Sequence, residues 1–325
     1  MSMKTKRIIP ILLLLFLLTG CAYQNQSPLS LNGVYFDTVI NVTIYDSKDE
    51  ALLTDIKSLC QKYDSLLARE KPNSDIAKIN EGAGKPVVVS AETANLIKDS
   101  LNYSQLSNGL FDVSVGTLLD LWDFKSETHV IPSKEAIEKA RQHVGYQNIE
   151  VVDNKVSLKD AKTEIDLGAI AKGFIADKIA DYLKEKGVKS ALINLGGNVL
   201  ALGNKPDGSA FNIGIQKPFD ETGTPITSIH LKDASSVTSG IYQRYFEVDG
   251  KIYHHIINPT TGYPASNNLL SVTIIDPSST KADALSTTCF LLGLDKGMQL
   301  INAQEDTKAI FITDDNKLHY SDNFN

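Results

Sequence analysis

The chain has 325 residues, 42% of them hydrophobic and 22% charged, with 32 basic side chains against 39 acidic ones and a net charge of −7. That length supports one large domain, or two intimate ones, around a sizeable core. The acidic balance, with no basic stripe anywhere along the chain, excludes a nucleic-acid-binding role.

The first residues read as an address. Lys4, Lys6 and Arg7 precede an apolar run from Ile8 to Leu18 that is broken only by Pro10. The run is too short to span a bilayer comfortably and matches the h-region of a secretory signal peptide. It ends in Leu18-Thr19-Gly20-Cys21, the form of a bacterial lipobox, where a cysteine sulfur takes a diacylglycerol. Residues 1–20 are therefore expected to be a signal peptide and Cys21 to be lipidated. Acyl chains on sulfur and amine would hold the protein firmly to the extracytoplasmic face of the cell membrane. The competing reading is an ordinary signal peptide with a coincidental cysteine. Cleavage would leave 29 basic against 39 acidic residues, a net charge of −10. Cys60 and Cys289 then remain, both in apolar helix-like contexts, and are expected to be buried free thiols.

Residues 21–30 read as a polar tether, and residues 31–325 as one continuous domain. Val34–Asp46 alternates as a strand pair or one long bent strand. Between Asp49 and Arg69 the apolar spacing is helical, with Ser47 or Asp49 placed as the cap. A polar loop (REKPNSDIAKINEGAGKP) follows, and a helix restarts behind Ser90 and closes on Gly109. The middle carries FDVSVGTLLDLWDF, a helix over Ser133–His143, and strands at Ile149–Val152 and Lys155–Leu158. DLGAIAKGFIADKIADYLKEKG runs from a strand end into a helix that stops at Gly187. SALINLGGNVLALG is a strand, a Gly-Gly turn and a strand. Strands are expected at 211–216, 228–232, 235–238, 244–248, 251–257 and 270–275, then helices over 281–292 and 295–302 and a terminal hairpin. Strands and helices mix without βαβ alternation, so the fold class is α+β.

Four stretches carry possible chemistry. In KADALSTTCF, Asp283 and Thr287 are four apart on a helix and share a face, an oxygen pair suited to Mg²⁺. The plainer reading is a carboxylate favouring the helix dipole and a threonine satisfying its own backbone. In DLGAIAKGFIAD, Gly168 and Gly173 around a helix start leave amides open to an anion, with Lys172 near; a tight strand-to-helix turn explains them equally. INLGGNVLALG is a glycine turn approaching a ligand, or simply a hairpin. In SNGLFDVSVG, Phe111 and Asp112 bracket a heterocycle or fill a core edge.

In order along the chain, SDIAKIN, NGLFDVSVGTLLDLW, DLGAIAKGFIAD, NLGGN, SGIYQRYFEVDGKIYHHIINPTTGYP and KADALSTTCFLLG resemble the ApbE family over nearly the whole mature chain. The resemblance implies a single mixed α/β domain of the T-fold-like type with an FAD cleft. It implies an FAD:protein FMN transferase that uses Mg²⁺ and attaches FMN to a threonine or serine of a target protein. Carried onto this sequence, it places the metal on the Ala169 carbonyl, Asp283 and Thr287. It places flavin contacts on Asn80, Leu110, Phe111, Asp112, Lys172, His255 and Ile256. The partners it implies are FAD and FMN-accepting electron-transfer proteins at the membrane surface.

In the implied reaction a target hydroxyl attacks the FMN-side phosphorus of FAD and AMP leaves. His255 is the candidate general base and Asp283 the competitor. The family motif aligns with His255 rather than His254. On a strand, Tyr253, His255 and Ile257 face one side and Ile252, His254 and Ile256 the other, so the two histidines cannot chelate one ion. His254 is expected to be structural or half exposed, and Pro259, Thr261 and Gly262 to shape a turn. Two other functions compete: an Mg²⁺-dependent FAD pyrophosphatase, and a non-catalytic flavin-binding lipoprotein that would not need the Asp283/Thr287 pair.

Overall fold

The computed structural model describes residues 27–126, 128–221 and 223–324. The expected signal peptide and the lipidated Cys21 lie outside the described residues. Among the described residues, no helix is long and apolar enough to cross a membrane.

The chain opens as a hairpin. β1 (Leu29–Tyr35) pairs with β2 (Thr38–Ile44) through a two-residue turn at Phe36 and Asp37. Both turn residues sit at φ 54°, the handedness that matches strand twist but that side chains resist. Of the two readings of this stretch, the strand pair holds; β1 also takes in Leu29 and Ser30, which had been assigned to the tether. α1 (Ala51–Leu67) follows, and the Asp49 carboxylate accepts the Ala51 N–H at 3.0 Å. Cys60 on its inner face is buried and free, and burial pushes its thiol up to about 12.

The stretch read as a polar loop holds a helix, α2 (Asp75–Glu81), capped by Ser74, whose Oγ accepts the Ala77 N–H at 2.9 Å. Two turns are too short for a helical period to stand out, so only the cap signals it. β3 (Val87–Val88) and α3 (Ala91–Leu106) come next, with Ser90 capping α3 as expected. α4 (Gly116–Trp122) is a second short helix that periodicity misses, followed by α5 (Lys134–Arg141). β4 (Ile149–Val152) and β5 (Lys155–Leu158) form a small sheet with β3 in which β5 is the central strand. α6 (Ala171–Glu185) has no strand leading into it, a departure from the expected strand end.

The later elements are β6 (Ala191–Leu195), β7 (Asn198–Leu202), β8 (Phe211–Gln216), β9 (Pro225–Leu231), β10 (Ala234–Gly240), β11 (Tyr245–Val248), β12 (Lys251–His254) and β13 (Leu269–Asp276). α7 (Ser279–Leu292), α8 (Leu294–Asn302), β14 (Lys308–Thr313) and β15 (Leu318–Tyr320) complete the chain. An eight-stranded antiparallel sheet in the order β1-β2-β6-β7-β10-β13-β14-β15 organises the fold.

Alternation along the strands sorts their side chains between two faces. Ile40, Val42 and Ile193 meet α1, α3 and α6 on one face, and Val272, Ala309 and Phe311 meet α7 and α8. Ile310 and Ile312 point the other way, where the β8–β9 hairpin covers them. A satellite core gathers Leu118, Trp122, Ile137, Phe246 and Tyr253 around α4, α5 and the β11–β12 hairpin. Trp122 Nε1 donates to the Gly262 carbonyl at 2.8 Å, and Gly262 sits at φ 74°, so the Asn258–Tyr263 turn is pinned into this core. The α+β class stands: large antiparallel sheet, helices segregated mainly to one face.

Candidate active site

α6 and α7 lie side by side over the sheet, and their contact is unusually close at Gly173. A Cβ on Gly173 would lie 2.2 Å from the Ser279 carbonyl oxygen and 2.7 Å from Asp283 Cβ. The missing side chain lets the Gly173 N–H, unpaired at the first turn of α6, donate to Asp283 Oδ2 at 2.8 Å. Asp283 is 3% exposed, and burial pushes its carboxyl pKa up, against the pull of Lys172 and the Gly173 bond. A second carboxylate locks the same two helices. Asp177 accepts from Ser279 N at 2.8 Å, Thr280 N at 2.9 Å and Thr280 Oγ1 at 2.6 Å, capping α7 from outside. Asp177→Ala should cost about 1–3 kcal/mol, read as a shift in urea midpoint, because α7 loses its external cap.

Thr287, one turn beyond Asp283, keeps its hydroxyl 3.0 Å from Ser239 Oγ on β10. Lys172 donates to the Gly168 carbonyl at 3.0 Å, and Gly168 N–H donates to Asp166 Oδ1 at 2.7 Å. Ala169, between them, is half-buried at the cleft wall. Among the described residues no three His, Cys, Asp or Glu side chains gather to hold a metal. The carbonyl of Ala169, the carboxylate of Asp283 and the hydroxyl of Thr287 form a sparse all-oxygen set on one cleft, and a desolvated carboxylate there favours a cation. Mg²⁺ fits that chemistry, since it takes few protein ligands and keeps positions for phosphate oxygens.

The cleft has a volume of about 820 Å³, in the range of nucleotide-sized ligand sites. Nine of the ten residues anticipated as catalytic, flavin-binding or metal-binding line it: Leu110, Phe111, Asp112, Ala169, Lys172, His255, Ile256, Asp283 and Thr287. Asn80 does not. Its amide makes a bidentate pair with Ile165, donating to the carbonyl at 3.0 Å and accepting the N–H at 2.8 Å. It therefore aligns the segment that leads to Gly168.

Phe111 and Asp112 line the cleft without the bracketing role their side chains suggested. The Phe111 ring is 1% exposed and packs edge-on to Tyr103. Asp112 spends its oxygens on Ser114 N at 2.8 Å, Ser114 Oγ at 2.7 Å and Tyr146 N at 2.8 Å.

The paired histidines divide their work, though not by strand alternation. β12 ends at His254, and His255, Ile256 and Ile257 all line the cleft in succession. His254 is buried, not half exposed. Its Nδ1 accepts the Ile256 N–H at 3.3 Å, and its Nε2 lies 3.0 Å from the Ala265 carbonyl, to which it donates. Burial pushes its pKa down to about 4 from an ordinary 6.5. The unfolded chain takes up that proton first, so the stability His254 contributes above pH 6.5 is lost as pH falls toward 4. The slope is about 1.4 kcal/mol per pH unit. His254→Gln should flatten it, as urea midpoints at pH ~7.5 and pH ~5 would show. His255 donates Nδ1–H to the Arg244 carbonyl at 3.0 Å, leaving the Nε2 lone pair free of that bond. Burial among protein atoms, with Arg244, His254 and Lys172 repelling a proton, pushes it down to about 3. The ring is a neutral acceptor.

Another cleft residue, Arg69, lies outside the motifs. Arg69, with its side chain 11% exposed, donates to Asp120 Oδ2 and Glu164 Oε2, both at 2.7 Å, and lies 3.9 Å from Asp166. Two segments distant from Arg69 in sequence supply those carboxylates, so no local pattern points to Arg69. Gly196 of the NLGGN turn also lines the cleft, where a Cβ would strike Thr38 Oγ1 at 2.2 Å.

Comparison with known proteins decides what this arrangement belongs to. The ApbE family model matches residues 36–311. This chain belongs to the ApbE family. It is 39% identical over 288 residues to an FAD:protein FMN transferase of Klebsiella pneumoniae strain 342, covering 87% of this chain and 89% of that one. It is 34% identical to the FAD:protein FMN transferase of Treponema pallidum strain Nichols, over 87% and 84% of the two chains. The crystal structure of the ApbE protein of Thermotoga maritima superposes with a TM-score of 0.83 at 32% identity, covering 92% of this chain and 98% of that one. The flavin transferase ApbE from Vibrio cholerae gives 0.82 at 30% identity with the same coverage. The ApbE sheet and helices are thus the frame on which the cleft of this chain is built.

Proposed function

We propose that this protein is an FAD:protein FMN transferase, moving FMN from FAD to a serine or threonine hydroxyl of a target protein and releasing AMP. The observation that carries this reading is the cleft itself: an ApbE chain in which Ala169, Lys172, His255, Asp283 and Thr287, from three separate stretches of the sequence, line one nucleotide-sized cavity.

The new bond joins the acceptor oxygen to the FMN-side phosphorus, and the bond to the bridging pyrophosphate oxygen breaks, so AMP leaves with that oxygen. Lys172 holds positive charge near the phosphates, and it acts electrostatically on both Asp283 and His255. Held neutral, His255 offers Nε2 to the incoming hydroxyl and orients it. So weak a base adds on the order of 10²-fold at most. Asp283, its carboxyl raised by burial, competes for the proton to the extent that it is free of metal. Mg²⁺ on Ala169, Asp283 and Thr287 would offset charge on the pyrophosphate oxygens.

We place the protein at the extracytoplasmic face of the cell membrane through Cys21, a reading supported by the Lys4–Arg7 start, the apolar run and the lipobox. Its acceptors there are FMN-carrying electron-transfer proteins. Incubation with FAD, Mg²⁺ and such an acceptor, read by intact mass, tests the reaction. One FMN gained per acceptor with AMP released is expected. AMP release with no mass gain would make the protein a pyrophosphatase, and flavin binding with neither would make it a carrier.

A further inference from the structure

Beside the His255 end of the cleft stands a cluster of aromatic rings that nothing in the flavin site uses. Phe219 is 43% exposed and Tyr245 is 42% exposed, a costly display for large rings. Phe219 stacks edge-to-face on Tyr245 at 5.4 Å and on Tyr242 at 6.0 Å between centroids. It comes from the β8–β9 loop; Tyr242 comes from the turn between β10 and β11, and Tyr245 is the first residue of β11.

Both supports are tied down by contacts with their neighbours. Phe219 sits at φ 58°, a conformation a non-glycine residue holds only when its surroundings impose it. Gln216 imposes it: its Nε2 donates to the Lys217 and Glu221 carbonyls at 3.0 Å each, and its Oε1 accepts the Gly223 N–H at 2.7 Å. The Tyr242 ring lies against Gly240, where a Cβ would be 2.8 Å from it.

The rings stand outside the cleft lining, yet Gln243 and Arg244, between the two tyrosines, wall the cleft. The Arg244 carbonyl holds the His255 ring. The aromatic surface is therefore continuous with the wall beside which the acceptor hydroxyl must arrive. FAD is taken up by the cleft; a protein acceptor has to rest on its rim.

Resting on the transferase reading, we infer that Phe219, Tyr242 and Tyr245 form the docking platform for the acceptor, gripping an apolar or aromatic side chain of the segment that presents the serine or threonine. The test uses Phe219→Ser and Tyr245→Ser in the full chain, against a protein that the unaltered enzyme flavinylates. Each change should raise the acceptor KM by about 10-fold or more, as loss of an aromatic anchor does, while FAD binding read by flavin fluorescence stays unchanged. Tyr245→Phe, which keeps the ring, should retain transfer. An unchanged acceptor KM overturns the platform. So does parallel loss of FAD binding, which would mean the cleft itself was disturbed. A variant whose only change is in self-association by sedimentation, or in binding to anionic lipid vesicles, assigns the rings to another copy or to the membrane and equally overturns it. If the unaltered protein binds FAD and flavinylates no acceptor, the transferase reading itself fails, a result separate from any variant's.

Discussion

Asp283→Asn is expected to leave the protein folded and at least as stable, while FMN transfer falls by about 10²–10³-fold or more. Asparagine has the same shape and keeps an oxygen to accept the Gly173 N–H, now 2.8 Å from Asp283 Oδ2. The fold loses no bond. It also sheds a carboxylate that is 3% exposed and whose pKa burial has raised, so the desolvation cost of the charge disappears. The Ala169, Asp283 and Thr287 set, however, loses its one carboxylate. Adding Mg²⁺ should raise the melting temperature of the unaltered protein and not that of the variant. Intact-mass measurement of transfer, with urea midpoints, checks the rest. Undiminished transfer would remove Asp283 from the site, and a large fall in stability would make it structural.

Gly173→Ala is expected to damage stability and transfer together. Alanine is the better helix former by about 1 kcal/mol, so propensity alone favours the change. Against it, the new Cβ meets the Ser279 carbonyl oxygen at 2.2 Å and the Ser279 carbonyl carbon at 2.7 Å, backbone atoms that cannot rotate aside. Forcing α6 and α7 apart costs about 1–3 kcal/mol, and the Gly173 N–H is drawn off a buried carboxylate at a further cost of about 1–3 kcal/mol. The clash wins, by roughly 1–5 kcal/mol. A variant as stable as the parent would show that the helices slide freely at this crossing. The two substitutions separate the roles: Asp283→Asn tests the charge with the packing kept, and Gly173→Ala tests the packing with the charge kept.

Much of the site was legible before the fold. The oxygen pair Asp283 and Thr287 follows from helical spacing, and the glycine at 173 from a motif that crowds small residues around a helix start. The spacing could not say what surrounds the pair, because the half-buried Ala169 wall is brought in from the segment leading into α6 and the close crossing of α6 and α7 buries the carboxylate. Alternation put His255 on the cleft and His254 away from it, as found, but misplaced Ile256, since β12 stops at His254 and the chain beyond it no longer alternates. Phe111 and Asp112 looked like ligand contacts because their types suit a heterocycle. Their partners within the fold, Tyr103, Ser114 and Tyr146, include one, Tyr146, a long way along the chain. Asn80 was displaced from the cleft by a backbone pairing with Ile165 that no local pattern encodes.

The sequence by itself determined the α+β class, the strands and long helices whose period is strong, the cap at Ser90, the two buried thiols and the family's motif order. Those are local properties, set by side-chain spacing and backbone preference over a few residues. Only the tertiary structure decided which groups share the cleft, which carboxylates are spent on backbone amides, that Asp177 caps a helix about a hundred residues away, and that Arg69 gathers carboxylates from separate segments. Burial and partnership at long range set the protonation and availability of each group, and they exist only once α6, α7 and the sheet have closed around it.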